Sequence, residues 1–180
     1  MISRKIIVQN ITNLTDARYF AAWGVDYLSY NLNAASPYVI SLEKVKEIKG
    51  WVEGPKTLIE SGSIDFLEGI DGHILEEAFS SLPINKEAFF RTTLANFTEG
   101  LPGGNYIIKV TAENLDLVKK LTPDQLLGHN LYLDITELDF DLLDRLPDFG
   151  LIIQGGEEEK IGVKSFDELD KLYDWLLDED

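Results

Sequence analysis

The chain alternates between short apolar segments and longer segments with helical spacing. Runs such as 6–8 (Ile-Ile-Val) and 151–153 (Leu-Ile-Ile) are apolar at consecutive positions, which is typical of strands buried on both faces of a parallel sheet. Eight such runs are rich in β-branched and aromatic residues and are bounded by turn residues. The predicted strands are Lys5–Gln9, Val25–Tyr30, Thr57–Glu60, Gly72–Leu75, Ala88–Arg91, Tyr106–Val110, Leu131–Asp134 and Leu151–Gln154.

Helices are predicted in several of the connections between these strands. The first has Asn13 as its N-cap, Asp16 in its first turn and Gly24 as its end. Further helices are expected around 41–49, 113–121, 138–146 and 165–177. Between the third and sixth strands the connections leave little room for a helix. We therefore expect those helices to be short or missing.

The alternation predicts an α/β fold, a compact (β/α)₈ barrel formed by one domain over residues 1–180. Barrels of this kind usually need about 250 residues, so 180 residues require the shortened helices. The alternative is a doubly wound open sheet. No glycine-rich dinucleotide fingerprint follows the first strand, which favours the barrel.

Composition narrows the functional classes. The formal net charge of −16 repels nucleic acid and anionic membranes, so neither is expected as a partner. Cysteine is absent, which excludes thiolate metal sites and a cysteine nucleophile in this chain. We expect no metal and no cofactor. The N-terminal residues resemble no secretion signal, and no apolar run approaches the roughly 20 residues of a membrane span, so a cytoplasmic location is expected.

Most predicted strands end in a polar residue. The carboxyl ends of the strands line the active site in parallel barrels, so these side chains should form a ring around one cavity. They are Gln9, Glu60, Arg91, Lys109, Asp134 and Gln154, with Ser29 and Asn31 near the end of the second strand. Arg91 and Lys109 both follow apolar pairs and should be partly desolvated, with Glu60 and Asp134 as their natural partners.

Three interpretations of this ring remain open. The first is a structural plug, in which ion pairs satisfy the buried charges. The second is a ligand site, in which Lys109 and Arg91 hold an anion. The third is a desolvated Lys109 that attacks a carbonyl group.

Three segments, in order along the chain, resemble the phosphoribosylanthranilate isomerases, the barrel enzymes of tryptophan biosynthesis. The first, with the sequence ITNLTDA followed by AAWGVD, resembles the family pattern "ITNLEDA…A..GAD". The second, SPYVIS, is similar to the family loop "SPRYVS". The third, GEEEKIGVK, is similar to the closing "GVE…G.K" segment. They occupy residues 11–26, 36–41 and 156–164.

The resemblance implies an Amadori rearrangement, an isomerisation of an aminoaldose to an aminoketose that needs one general acid and one general base. The usual cysteine base of the family, in "KICGIT", falls at Gln9, and the glycine after it falls at Asn10. The usual aspartate acid at the end of the sixth strand falls at Lys109, and the arginine of "SPRYVS" falls at Tyr38. Glutamine cannot act as a general base, and lysine could act as an acid only with a strongly lowered pKa.

The family's phosphate-binding turns are also reduced. Members carry glycine-rich turns after strands six, seven and eight, whose N–H groups bind phosphate. Here only Gly155 and Gly156 remain after the eighth strand, and three glutamates follow them. Gln154, Gly155 and Gly156 are candidate ligand-binding residues, together with Arg91 and Tyr38.

These observations lead to two hypotheses on activity and one on assembly. The leading hypothesis is a divergent paralogue of the isomerase that lacks the ordinary activity and binds an unknown small ligand, anionic or otherwise, or a protein partner. The alternative is a functional isomerase in which Asp134 or Glu60 acts as base and Lys109 as acid, with Arg91 and Tyr38 binding ligand. Apolar surface beside the shortened helices would also suit a homodimer.

Overall fold

Eight parallel strands close into a barrel in a computed structural model that describes residues 2–61, 68–76, 87–155 and 167–178. The strands are β1 (Ile6–Gln9), β2 (Tyr27–Asn31), β3 (Lys56–Glu60), β4 (Gly72–Leu75), β5 (Glu87–Thr92), β6 (Gly104–Lys109), β7 (His129–Asp134) and β8 (Gly150–Gln154). The helices are α1 (Leu14–Trp23), α2 (Leu42–Lys49), α3 (Leu94–Glu99), α4 (Leu115–Val118), α5 (Pro123–Leu126) and α6 (Asp167–Asp178), with a 3₁₀ helix at Phe140–Arg145.

The pairing of the first and last strands decides between the two predicted folds. β1 pairs in parallel with β8 from Ile6↔Leu151 to Gln9↔Gln154, and β1 also pairs with β2. An open sheet would leave two edges, so the doubly wound alternative is wrong. All eight predicted strands are confirmed, with ends that shift by no more than about two residues, the usual uncertainty of an element boundary.

The helices agree less closely with the sequence pattern. α1 has the predicted caps: the Asn13 side chain accepts a hydrogen bond from the N–H of Asp16, and Gly24 takes the left-handed conformation at φ 79°. The segment 113–121 forms only the one-turn α4, and 138–146 forms a 3₁₀ helix instead of an α-helix. Two short helices, α3 and α5, were not predicted.

The barrel interior is filled by side chains that alternate along each strand. Ile7, Leu58, Phe89 and Tyr132 come from the odd-numbered strands and belong to one buried cluster, with Ile74, Ile107 and Ile152 from the even-numbered ones. Alternate strands supply each layer of four side chains in such a barrel. The Phe89 ring meets the rings of Tyr27 and Tyr132 edge to face, both at 5.2 Å between centroids.

A second apolar core lies between the strands and the helices. It is formed by the alternate side chains of the strands together with helix residues such as Phe20, Val45 and Leu176. Burial on both faces explains why the strands are nearly continuous apolar runs. Within the described part of the chain, no helix is long and apolar enough to cross a membrane.

Candidate functional site at the barrel mouth

One polar layer closes the apolar interior at the carboxyl ends of the strands. Gln9, Glu60, Arg91 and Asp134 each lie two positions beyond an interior residue of an odd-numbered strand, and therefore project from the same face. They form the next layer of four toward the mouth. The strand periodicity thus brings four of the predicted site residues together.

Arg91 is the centre of this layer. Its Nη2 donates to Oε1 of Gln9 at 2.8 Å and to Oε2 of Glu60 at 3.2 Å. Its Nη1 donates to Oδ2 of Asp134 at 3.2 Å. Its Nε lies 3.5 Å from Oε1 of Glu76, which follows β4. The guanidinium group therefore spans the mouth and links side chains from four other strands or strand ends.

Among the residues that the structure describes, the charges in contact with Arg91 do not balance. Three carboxylates contact one guanidinium group, so the cluster carries an excess of two negative charges. Burial alone would lower the pKa of Arg91, but the charges of Glu60, Asp134 and Glu76 raise it above its ordinary value. Arg91 is therefore a cation at neutral pH.

Asp134 is held by two sets of donors. While Oδ2 accepts from Arg91, Oδ1 accepts from the backbone N–H of Thr136 at 3.2 Å and from its hydroxyl group at 2.7 Å. The Asp134 side chain is only 7% exposed. Both oxygens are thus engaged as acceptors, as expected of an ionised carboxylate that positions another group.

Lys109 does not join the cluster. The sequence suggested a partly buried cation paired with Glu60 or Asp134, but the Lys109 side chain is 52% exposed and its Nζ pairs with Glu137 at 2.5 Å. The reason is its position: β6 is an even-numbered strand, so Lys109 lies about one residue nearer to solvent than the Arg91 layer. The predicted pairing of Lys109 with Glu60 or Asp134 is therefore wrong, and those two carboxylates pair with Arg91 instead.

A second network covers the mouth above β1 and β8. Nδ2 of Asn10 donates to Oε1 of Gln154 at 3.3 Å, and Nε2 of Gln154 donates to the hydroxyl oxygen of Tyr38 at 2.9 Å. Asn10 has φ 59°, the one left-handed residue other than glycine in the described chain. Asparagine tolerates this conformation better than other side chains. Asn10 therefore holds a backbone conformation that glycine adopts readily.

The remaining predicted residues flank this network. Gly155 is buried, and a Cβ atom there would lie 3.3 Å from Oδ2 of Asp16, so the close approach of β8 to α1 favours glycine. Its N–H contacts the carbonyl oxygen of Gln9 at 3.4 Å. Gly156 and the rest of the third resembling segment lie outside the described residues.

A cavity of about 450 Å³ opens beside Arg91. Its wall includes Glu76 and Arg91, together with Thr92, the last residue of β5, and Thr93, the residue that follows it. The sequence analysis missed Glu76, although it lies two positions after the interior residue Ile74 and so continues the same alternation. Among the described residues, no group of His, Cys, Asp and Glu side chains could hold a metal ion.

Comparisons with known proteins identify the architecture. No protein-family model matches the sequence, and no curated protein matches it significantly. Solved structures do match the fold over most of the chain. Phosphoribosylanthranilate isomerase from Thermus thermophilus superposes with a TM-score of 0.67 at 17% identity, covering 98% of this chain and 100% of that one.

Two other structures of the same kind support this result. A phosphoribosylanthranilate isomerase in complex with reduced 1-(o-carboxyphenylamino)-1-deoxyribulose 5-phosphate has a TM-score of 0.64 at 15% identity, covering 94% of this chain and 96% of that one. A structure of monomers generated from the dimeric enzyme of Thermotoga maritima has a TM-score of 0.59 at 16% identity, covering 91% of this chain and 93% of that one. The chain therefore has the (β/α)₈ fold of the phosphoribosylanthranilate isomerases.

Proposed function

We propose that this phosphoribosylanthranilate isomerase-like barrel lacks the ordinary isomerase activity and binds a different small polar molecule at its mouth. The observation that carries the proposal is the Arg91 cluster, in which Gln9, Glu60 and Asp134 all contact one guanidinium group at the centre of the mouth. A substrate that enters must compete with these contacts. Breaking one contact of a buried ionic network is costly, because it leaves a charge unpaired.

The positions that match the family's acid and base support the same conclusion. Gln9 has no basic group, and its amide oxygen already accepts from Arg91. Lys109 is 52% exposed and paired with Glu137 at the rim, so its ammonium group is engaged outside the Arg91 cluster. Tyr38, at the position of the family's carboxylate-binding arginine, hydrogen-bonds to Gln154 and carries no positive charge.

The charge of the mouth also disfavours an anionic ligand. The compound bound to the solved isomerase carries a carboxyphenyl group and a phosphate group. In this chain such a ligand would approach a cluster with two excess negative charges. At an effective dielectric constant of about 20, like charges about 4 Å apart repel by about 4 kcal/mol.

A direct assay with phosphoribosylanthranilate tests the proposal. We expect that purified protein causes no turnover above the spontaneous reaction. Turnover is measured as the decrease in phosphoribosylanthranilate fluorescence over time. Turnover that disappears in Lys109→Ala or Asp134→Ala would contradict the proposal. It would instead support the alternative, an isomerase with Asp134 or Glu60 as base and Lys109 as acid.

A second observation favours an assembly role. Leu117 and Leu127, beside the short helices α4 and α5, are 56% and 80% exposed. Leu117 also lines a groove with Leu94 and Leu121. We propose a second copy of the chain as the partner of this face, which is compatible with the dimer formed by the Thermotoga maritima enzyme.

Sedimentation equilibrium tests the dimer. We expect a dimer that Leu117→Lys and Leu127→Lys shift to monomer, because each places a charge in the apolar interface. Trp51→Lys is the matched control, since Trp51 is also exposed but lies at the end of α2. A monomer at all concentrations would contradict the proposal.

A further inference from the structure

The loop of residues 32–40, which we call the strap, leads from β2 toward α2 and closes on itself. Its two ends meet, because the N–H of Ile40 donates to the carbonyl oxygen of Asn31 at 2.9 Å. Inside the strap, the N–H of Ser36 donates to the carbonyl oxygen of Asn33 at 2.9 Å. The strap is thus a compact loop of the Ω type, whose local hydrogen bonds maintain its shape.

Most of the strap lies at the surface of the protein. Residues 33–35 and Pro37 are exposed, and Val39 is 48% exposed. Its last residue, Ile40, is buried in the apolar core. A segment that buries little apolar surface opens at a lower free energy than the core of the same protein. The strap can therefore move as a unit about its anchored ends while the barrel stays folded.

Tyr38 joins the strap to the other side of β1. The hydroxyl oxygen of Tyr38 accepts from Nε2 of Gln154 at 2.9 Å, and Gln154 is the last residue of β8. Because β1 lies between β2 and β8, this contact bridges the end of β1. Oε1 of Gln154 accepts from Nδ2 of Asn10 at 3.3 Å, which turns the amide so that Nε2 faces Tyr38.

The bridged strand ends in Gln9, one of the side chains that contact Arg91. Gln9 is only 6% exposed, and its Oε1 accepts from Nη2 of Arg91 at 2.8 Å. The cavity of about 450 Å³ opens on the other side of the guanidinium group, beside Glu76 and Thr92. The mouth is thus accessible beside β5 and covered beside β1. A molecule that reaches Gln9 from the β1 side must displace the strap.

We propose that the strap is a movable cover of the β1 side of the mouth, and that the hydrogen bond between Tyr38 and Gln154 holds it closed. Breaking this bond lets the strap turn outward and admits small molecules to Gln9 and Arg91. One neutral hydrogen bond changes an equilibrium by a factor of about 2–10, so the closed form dominates and opening stays accessible. The proposal goes beyond the proposed function, since it concerns access to the mouth and not the identity of a ligand.

Thiol labelling tests the proposal, because the chain has no cysteine and an introduced thiol reports on one position. Gln9→Cys places the thiol beneath the strap. Thr57→Cys places it at a 4% exposed position near the opposite end of the barrel, where it reports on opening of the whole fold. We expect Tyr38→Phe to accelerate the reaction of Gln9→Cys with Ellman's reagent at least about 3-fold and to leave Thr57→Cys unchanged.

Tyr19→Phe is the matched control. It also removes a tyrosine hydroxyl group that forms a hydrogen bond, but its partner is Asp170, and the bond joins α1 to α6 away from the mouth. Both thiols should react at the same rates with and without this substitution. A second readout keeps Gln9 in place: exchange of its side-chain amide with solvent, measured by NMR, should also accelerate in Tyr38→Phe.

A double variant tests whether the two partners act through one contact. Gln154→Leu should accelerate the labelling of Gln9→Cys, and adding Tyr38→Phe should cause no further increase, since the bond is already lost. Three results would overturn the proposal: no acceleration by Tyr38→Phe, equal acceleration at Gln9→Cys and Thr57→Cys, or effects of the two substitutions that multiply. These outcomes are independent of turnover of phosphoribosylanthranilate, which tests the proposed function.

Discussion

Arg91 is the cation that three carboxylates at the mouth of the barrel share. Glu60 and Asp134 are brought to it by strand alternation, and Glu76 joins them from the end of β4. Arginine suits this position better than lysine, because its planar group donates to several acceptors at once. The cluster is thus a fixed structural element as well as the candidate binding surface.

Arg91→Met should therefore destabilise the protein at neutral pH. The methionine retains much of the apolar stem but leaves three carboxylates without their cation. Removing one partner of a fully buried ion pair costs about 3–5 kcal/mol, and we expect about 2–3 kcal/mol here because the Arg91 side chain is 21% exposed. Urea unfolding monitored by circular dichroism measures this loss.

Two comparisons make the Arg91 prediction specific. Arg145→Met removes the exposed Arg145–Asp116 pair and should change the unfolding free energy by less than about 1 kcal/mol. The loss in Arg91→Met should also shrink when Glu60 and Asp134 are replaced by glutamine and asparagine, because neutral amides do not need the cation. An equal loss in that background would argue that Arg91 acts through packing alone.

Asn10 determines the backbone at the end of β1. Its φ of 59° is left-handed. This conformation is unfavourable for a residue with a Cβ atom unless its side chain forms local hydrogen bonds. We expect Asn10→Ala to lower the unfolding free energy by about 1–2 kcal/mol, through backbone strain and the lost contact with Gln154. Asn10→Gly should cost less than Asn10→Ala, because glycine adopts this conformation freely. Equal losses would contradict the backbone explanation.

At the scale of elements, the strands were predictable and the short helices were not. Burial on both faces makes each strand an apolar run that is visible in the sequence. α3 has only six residues, which is less than two turns of periodicity. α5 did have a signal, since Thr122, Pro123 and Gln125 form a capping box with proline in its first turn.

The site was predictable as a set of strand ends but not as a set of contacts. The polar residues after the apolar runs do meet at the mouth, as Gln9, Glu60, Arg91 and Asp134 show. The separation of Lys109 from this cluster depends on the offset between neighbouring strands. That offset is a property of barrel closure and is absent from the local sequence pattern.

The packing of the strands at the N-terminal end of the barrel depends on two glycines. A Cβ atom on Gly150 would lie 2.5 Å from the Tyr132 ring, and one on Gly72 would lie 2.4 Å from the carbonyl oxygen of Glu87. We expect Gly150→Ala and Gly72→Ala to destabilise the protein by about 1–3 kcal/mol each, because the interior has no room for the methyl group. Thermal unfolding followed by differential scanning calorimetry measures the effect.

Gly104→Ala is the matched control for these two substitutions. Gly104 also begins a strand, but the nearest atom to its added Cβ would be Cε2 of Tyr106 at an ordinary 3.6 Å. This substitution should be neutral or slightly stabilising, because alanine restricts the unfolded chain. If Gly104→Ala is as damaging as Gly150→Ala, the cause is the strand backbone in general and not the layer of interior side chains.

For the whole molecule, the two ends of the barrel have different electrostatic character. The mouth holds its excess carboxylates around Arg91, whereas tyrosines and ion pairs occupy the opposite end. There the hydroxyl group of Tyr27 donates to Oε2 of Glu87 at 2.6 Å, and Lys56 pairs with the same carboxylate. The formal net charge of −16 adds electrostatic repulsion, which destabilises the folded state.

The buried tyrosines should make the protein sensitive to alkali. Burial raises the pKa of Tyr27, Tyr30 and Tyr132 above the ordinary value, and for Tyr132, where the charges of Asp26 and Glu87 contribute, it rises to about 12. Because the pKa is higher in the folded than in the unfolded state, each protonated tyrosine contributes its full stabilisation of the folded state below about pH 10. This stabilisation is lost as the pH rises through the folded pKa. We therefore expect the unfolding free energy to fall between about pH 10 and 12, by up to about 1.4 kcal/mol per pH unit for each tyrosine.

Tyr132→Phe distinguishes tyrosine ionisation from other effects of alkali. It keeps the edge-to-face contact with Phe89 and removes one ionisable group, so stability should fall less steeply above pH 10 than in the unsubstituted protein. The absorbance of tyrosinate at 295 nm should at the same time show fewer groups titrating together with unfolding. Identical pH profiles for the two proteins would mean that lysine deprotonation, and the consequent loss of ion pairs such as Lys56–Glu87, dominates alkaline unfolding instead.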